Sequence, residues 1–187
     1  MNKAIFLDRD GVINEDLDYV YKVEDLKFIP RAVDGLKLLN ELKYKLIIVT
    51  GQSGIGRGYY SEESMDKFHE HMLQILRKEG IVINAIYFCP HHAEKGIGKY
   101  KIECECRKPK TGMIDNAKKD FDIELKESYI IGDKTDDIVM GKNAGCKTIL
   151  VLTGKAGNDK NYDVKPDFIA KDLYHAAKLI LKFEGKK

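Results

Sequence analysis

Ala4-Ile5-Phe6-Leu7-Asp8-Arg9-Asp10-Gly11 decides how this chain is read: four apolar residues run straight into two carboxylates and a glycine. The run predicts a short buried strand over residues 3–7. Residues at i and i+2 of an extended chain point the same way, so Asp8 and Asp10 share one side of the strand end. Two like charges held that close resist full ionisation unless a cation intervenes or one acid keeps its proton. The pair suits a nucleophile beside a general acid, with a divalent metal between protein and substrate. The plainer reading is a strand end with a solvated acidic turn. A D-x-D tripeptide is common, so the choice rests on the rest of the chain.

Outward from this stretch, short apolar runs alternate with longer amphipathic ones. Strands are predicted at 3–7, 45–50, 85–89, 129–132, 148–152 and 167–169. Helices are predicted at 31–42, 62–78, 113–121, 136–144 and 173–183. In the first of these, Val33, Leu36, Leu39 and Leu42 recur at helical spacing. Gly80 and Gly145 stand where helices end. Strands alternating with helices imply an α/β fold of Rossmann-like type, a three-layer arrangement with a mainly parallel sheet covered on both faces. Residues 155–165, rich in Gly, Asn, Asp and Lys, read as a surface loop, and 184–187 as a frayed tail. A length of 187 residues fits one domain spanning 1–187.

A hydrophobic content of 43% supplies a core, and a net charge of +2 gives no global field to attract nucleic acid or a membrane surface. No apolar run approaches membrane-spanning length, and Asp8 interrupts the N-terminal run too early for a signal peptide. A cytoplasmic, monomeric protein acting on a small molecule is therefore expected. Its four cysteines are then not a disulfide framework.

The polar residues fall in a pattern. Asp8, Thr50 and Asp133 each terminate a predicted strand, and the carboxyl ends of parallel strands form the ligand crevice. Thr50-Gly51-Gln52-Ser53-Gly54 offers a hydroxyl and flexible N–H groups that suit phosphoryl oxygens, although an ordinary strand-to-loop turn looks the same. Arg107-Lys108-Pro109 sets two cations ahead of a helix, which makes an anion site or a solvated basic turn. In Gly132-Asp133-Lys134-Thr135-Asp136-Asp137, Asp133 at the strand tip is a metal candidate and Asp137 an outer carboxylate, while Asp136 and Asp137 also suit the helix dipole. Cys89-Pro90-His91 and Cys104-Glu105-Cys106 read as a four-ligand structural Zn²⁺ site closing a loop over 89–106, with His92 as a competing ligand. The clamp ends beside Arg107 and would fix the backbone that aims Arg107 and Lys108.

Together, Asp8-Arg9-Asp10-Gly11, Thr50, Lys108 and Gly132-Asp133 resemble the haloacid dehalogenase superfamily. The zinc loop joined to Arg107-Lys108-Pro109, with Gln52-Ser53-Gly54-Ile55-Gly56-Arg57-Gly58, is more narrowly similar to the family of D-glycero-D-manno-heptose 1,7-bisphosphate 7-phosphatases. The resemblance implies a Mg²⁺-dependent phosphomonoesterase with a minimal cap. Asp8 would form an aspartyl-phosphate and Asp10 would act as acid, then base. Mg²⁺ would sit between Asp8, the Asp10 backbone carbonyl and Asp133, while Thr50 and Lys108 hold phosphoryl oxygens. Arg9, Asp16, Leu17, Asp18, Tyr19, Gly51, Gln52, Ser53, Arg107 and Lys134 would meet the substrate. One departure is Gly51, where the family often has Asn.

Three other functions compete. A histidinol-phosphate phosphatase shares the motifs, but with a shorter zinc loop and a cationic substrate, which suits poorly a chain that gathers Arg57, Arg107, Lys110 and Lys134. A nucleic-acid 3′-phosphatase would call for a basic stripe with interleaved aromatics. A phospho-acceptor signalling domain would not place an acid/base residue at Asp10, where it speeds dephosphorylation.

Overall fold

The computed structural model describes residues 1–186. Six strands, β1 (Lys3–Leu7), β2 (Tyr44–Gly51), β3 (Ala85–Cys89), β4 (Tyr129–Gly132), β5 (Lys147–Val151) and β6 (Phe168–Ala170), form a sheet in the order β3-β2-β1-β4-β5-β6. Every neighbouring pair is parallel. The order reverses between β1 and β4, and open parallel sheets bind ligands outside the strand ends at such a point. Leu7 pairs with Ile48 of β2 and Ile131 of β4. Asp8, Thr50 and Asp133 therefore lie just past one common line across the sheet.

The alternation of side chains builds two cores. Ile5 and Leu7 face one layer, formed by α1 (Ala32–Asn40), α6 (Leu173–Phe183) and, through Met72 and Leu76, α3 (Glu62–Lys78). Ala4 and Phe6 face the other, where Met113, Ile114 and Ala117 of α4 (Gly112–Phe121) and Met140 of α5 (Thr135–Ala144) pack. Both faces of the strands are buried, as continuous apolar runs in a parallel sheet require. Helix α3 starts where Ser61 accepts a hydrogen bond from the Ser64 amide at 3.1 Å, with Glu62 and Glu63 in its first turn. Met65, Phe68, His69, Met72 and Leu76 form its buried stripe.

The predicted elements are all present, those over 3–7, 62–78, 85–89, 129–132 and 173–183 with the expected ends and the others with shifted ones. The helix expected over 31–42 is Ala32–Asn40, because Arg31 takes a left-handed backbone (φ 65°). Strands β5 and β6 lie one residue from the expected 148–152 and 167–169, and α4 and α5 each begin one residue early. The glycine-rich stretch after Thr50 is not all loop: β2 runs through Gly51, and Ser53–Gly56 form a short helix, α2. Residues 155–165 lack regular structure, as expected, but fold back onto the sheet, where the Gly157 amide donates to the Asp133 carbonyl at 2.7 Å. Of the tail expected to fray, Lys187 lies outside the described residues. No helix among the described residues is long and apolar enough to cross a membrane.

Candidate active site

Asp8, Asp10, Gly51, Ser53, Arg107, Lys108, Lys134 and Asp137 line one cleft at the sheet's carboxyl edge. Asp8 Oδ1 accepts from the Arg9 amide at 2.8 Å and pairs with Lys108 Nζ at 3.0 Å. The same Nζ reaches Asp137 Oδ1 at 2.6 Å. Asp8, Asp133 and Asp137 can each direct one oxygen into a cluster spanning no more than 4.8 Å. Asp137 thus stands in the carboxylate group itself, while its Oδ2 accepts from the Lys134 amide at the start of α5.

Crowding has electrostatic consequences. Burial, then the charges of Asp8 and Asp137, push Asp133 up to about 8. Burial and Asp8 push Asp137 up to about 6 against the pull of Lys108. For Lys108 burial opposes the charge, but Asp137 and Asp8 outweigh it and hold the ammonium above its ordinary value. Lys134 is raised in the same way, against burial, by Asp8, Asp133 and Asp16. Asp133 Oδ2 accepts from the Lys155 amide at 2.7 Å, whereas its buried Oδ1 has no partner. An orphaned carboxylate oxygen within a trio of acids is a hard-oxygen donor set that fits Mg²⁺.

Gly11 (φ 86°) and Gly154 (φ 58°) wall the Asp133 carboxylate from two sides, and a Cβ on either would collide with it. Thr153 Oγ1 ties the two walls together by donating to the Gly11 carbonyl at 2.7 Å.

Asp10 is held differently. Arg9 donates to it from Nε at 3.1 Å and from Nη2 at 2.9 Å, Asn14 Nδ2 donates at 2.8 Å, and Gln52 Nε2 at 3.2 Å. Burial raises its pKa despite Arg9 and Asn14, and Asp8 adds to the rise. Its side chain stays outside the Asp8–Asp133–Asp137 cluster, so any metal contact from Asp10 falls to its backbone carbonyl. Gln52 also donates to Thr50 Oγ1 at 2.9 Å, and its Oε1 accepts from Tyr60 Oη.

The remaining expected residues divide. Asp16 pairs with Lys134 at 3.3 Å, Asp18 with Lys155 at 3.8 Å, and the half-exposed Tyr19 packs edge-on against Tyr59 at 4.8 Å. These three form the rim, and Leu17 among them is exposed. Arg107 is exposed at the mouth and donates to the His91 carbonyl at 3.2 Å. A Cβ at Gly51 would meet open space, so the glycine there leaves the cleft wider without being sterically required. Lys110 turns to Glu105 at 3.1 Å, and Arg57 lies 5.8 Å from the Tyr19 ring. Arg9 is expected at the substrate, but its side chain is fully buried behind Asp10, reaches the Val20 carbonyl at 2.7 Å and His69 Nε2 at 3.0 Å, and lies 4.6 Å from the Phe68 ring, so only its backbone can face the cleft.

Cys89, His91, Cys104 and Cys106 converge as expected, with Cys106 Sγ 3.0 Å from Cys89 Sγ, 3.3 Å from Cys104 Sγ and 3.3 Å from His91 Nδ1. This three-thiol, one-imidazole set can hold tetrahedral Zn²⁺. Hydrogen bonding between them pushes Cys106 down to about 5 and Cys89 up. His92 stands outside the group, accepting from the Glu94 and Lys95 amides. Sequence reasoning missed the backbone donors of Lys155 and Gly157. Thr153-Gly154, directly after a predicted strand end, was the available signal.

Residues 105–176 match a family model described as HAD-hydrolase-like. The D-glycero-beta-D-manno-heptose-1,7-bisphosphate 7-phosphatase of Haemophilus influenzae is 46% identical over 156 residues, 83% of this chain and 84% of its own. The D-glycero-alpha-D-manno-heptose-1,7-bisphosphate 7-phosphatase of Burkholderia mallei is 46% identical over 151 residues, 81% of this chain and 80% of its own. A crystal structure of D,D-heptose 1,7-bisphosphate phosphatase from B. bronchiseptica, complexed with magnesium and phosphate, superposes with a TM-score of 0.86 at 29% identity, covering 97% of this chain and 99% of that one. Identity of that order across more than four fifths of the chain, with the same fold, places it as an enzyme: the chain belongs to the heptose-bisphosphate phosphatase family of haloacid dehalogenase-like phosphoric monoester hydrolases.

Proposed function

We propose that the chain removes the 7-phosphate of D-glycero-D-manno-heptose 1,7-bisphosphate, a step toward nucleotide-activated heptose, as one cytoplasmic, monomeric domain over 1–187. The observation that carries the chemistry is the position of Asp8. Lys108 and the Arg9 amide hold its Oδ1, which leaves Oδ2 to attack phosphorus. The phosphoryl oxygens would face Lys108, Thr50 and the Gly51 backbone, since the Gln52 amide already donates to the Cys89 carbonyl at 2.8 Å. Asp10, whose carboxyl holds its proton more readily than usual, would give that proton to the leaving sugar oxygen. It would then take a proton from the water that hydrolyses the aspartyl-phosphate. Mg²⁺ held by Asp8, Asp133 and the Asp10 carbonyl, with Asp137 beside them, would supply positive charge to offset these carboxylates and the phosphate dianion.

A bisphosphate places only one phosphate over Asp8, so the other calls for its own cation, and Arg107 at the mouth is the candidate. A charge-assisted hydrogen bond is worth roughly 1.5–3 kcal/mol, or about ten- to a hundredfold. Arg107→Ala should lower kcat/KM for the bisphosphate by that factor and barely change that for p-nitrophenyl phosphate. Equal losses on both would reassign Arg107 to the reacting phosphoryl group or to the fold. Both heptose anomers, fructose bisphosphate and histidinol phosphate belong in the same phosphate-release assay. A preference for histidinol phosphate would overturn the substrate assignment.

The Cys89–His91–Cys104–Cys106 group should hold Zn²⁺ in a structural role. Elemental analysis of protein purified without added metal should find about one zinc per chain. Cys104→Ser should lower Tm and impair turnover through the backbone that carries Arg107 and Lys108. Stable, fully active protein without zinc would refute this assignment.

A further inference from the structure

Helix α3 contributes no atom to the cleft, yet one of its residues ends a buried chain of hydrogen bonds that begins there. Asp10 is gripped by Arg9 through Nε and Nη2. Arg9 has a fully buried side chain, so each of its N–H groups needs an acceptor inside the protein. Nη2 also donates to the Val20 carbonyl at 2.7 Å, and Nη1 meets His69 Nε2 at 3.0 Å. Phe68, the preceding residue of α3, lays its ring 4.6 Å from the guanidinium carbon. Guanidinium has no acceptor to offer, so His69 Nε2 must be the unprotonated nitrogen. Burial, reinforced by the Arg9 charge, keeps the ring neutral by pushing it down to about 3. Hydrophobic anchoring of α3 calls for none of this. Met65, Phe68, Met72 and Leu76 already supply the apolar stripe, and a leucine at 69 would complete it.

We propose that His69 is a positioning residue for the acid–base carboxyl of Asp10, acting by fixing the Arg9 fork that holds it. The inference rests on the role given to Asp10 above. Without an acceptor Nη1 would be buried and unpaired, which favours a shift of the guanidinium on its Asp10 and Val20 partners, and the carboxyl it grips would move with it. Small displacements of a proton donor are costly, up to about a hundredfold for 1 Å.

The test uses leaving groups that differ in their need for a proton. A sugar oxygen must be protonated as it departs, whereas p-nitrophenolate leaves as a stabilised anion. kcat/KM reports only the steps through the transfer to Asp8, so later hydrolysis does not obscure the comparison. His69→Leu should lower kcat/KM for heptose bisphosphate by about ten- to a hundredfold and for p-nitrophenyl phosphate by no more than about twofold. His69→Gln, whose amide oxygen can accept from Arg9 Nη1, should recover most of the loss. Should the leucine variant not fold, His69→Met carries the same comparison. Equal losses on both substrates, or none on either, would overturn the inference, as would a glutamine variant no better than leucine. Asp10→Asn, measured alongside, separates the two levels. If it shows no leaving-group dependence, the acid role of Asp10 fails and takes the inference with it. If it shows that dependence and His69→Leu does not, only the inference fails.

Discussion

Asp8→Asn should cut kcat/KM by roughly three orders of magnitude or more, the scale on which a covalent nucleophile is missed, while the protein remains folded. The amide has the shape of the carboxylate but neither its charge nor its nucleophilicity. Its effect on stability should be small and in the favourable direction when Mg²⁺ is absent. Asp8, Asp133 and Asp137 share a space no wider than 4.8 Å, and Lys108 pairs with only Asp8 and Asp137, so removing one charge relieves repulsion. A phosphate-release assay in Mg²⁺, read beside a thermal melt in chelator, tests both halves. Retention of more than a few per cent of wild-type activity would mean that another group attacks phosphorus.

Lys108→Met should damage chemistry and stability together, which sets it apart from Asp8→Asn. The ammonium is almost wholly enclosed and bridges Asp8 at 3.0 Å and Asp137 at 2.6 Å. Removing one partner from a buried ion pair leaves an uncompensated charge, at a cost of about 3–5 kcal/mol. The same change removes the cation proposed to face the transferring phosphoryl group, and losing one such preorganised group lowers kcat by about a hundred- to a thousandfold. Urea melts with and without Mg²⁺ should show a smaller loss when the metal is present, because a second cation then shares the cluster. An unchanged melt in chelator would show that Asp8 and Asp137 do not depend on Lys108 for neutralisation.

How much of this was legible in the sequence depends on what kind of contact makes each feature. Asp8, Thr50 and Asp133 could be placed together because each ends an apolar run, and a parallel sheet brings all such ends to one edge. The Cys/His cluster that could hold zinc was legible from spacing and ligand chemistry, and the structure groups His91 rather than His92 with the three thiols, using the His92 ring in a local turn. The burial of the Arg9 side chain was not legible, because β1 ends at Leu7 and the chain bends at Arg9, where strand alternation no longer applies. The amides of Lys155 and Gly157 left no trace in composition, since every residue there but proline carries an amide. The pairing of Arg9 with His69 joins positions sixty apart. Helical periodicity marks residue 69 as buried, but not what it faces.

The slot around Asp133 has a consequence for how tolerance to mutation is distributed. Its walls at Gly11 and Gly154 are bare main chain with left-handed torsions, and they touch the very carboxylate they enclose. Neither glycine offers a proton, a charge or a ligand. In an exhaustive scan of single substitutions scored by growth or turnover, both should nonetheless rank with the acids themselves. They would be intolerant even of alanine, while Gly51, where a Cβ would meet open space, should accept alanine. Such a scan would outline the shape of the void as clearly as it marks the reacting groups.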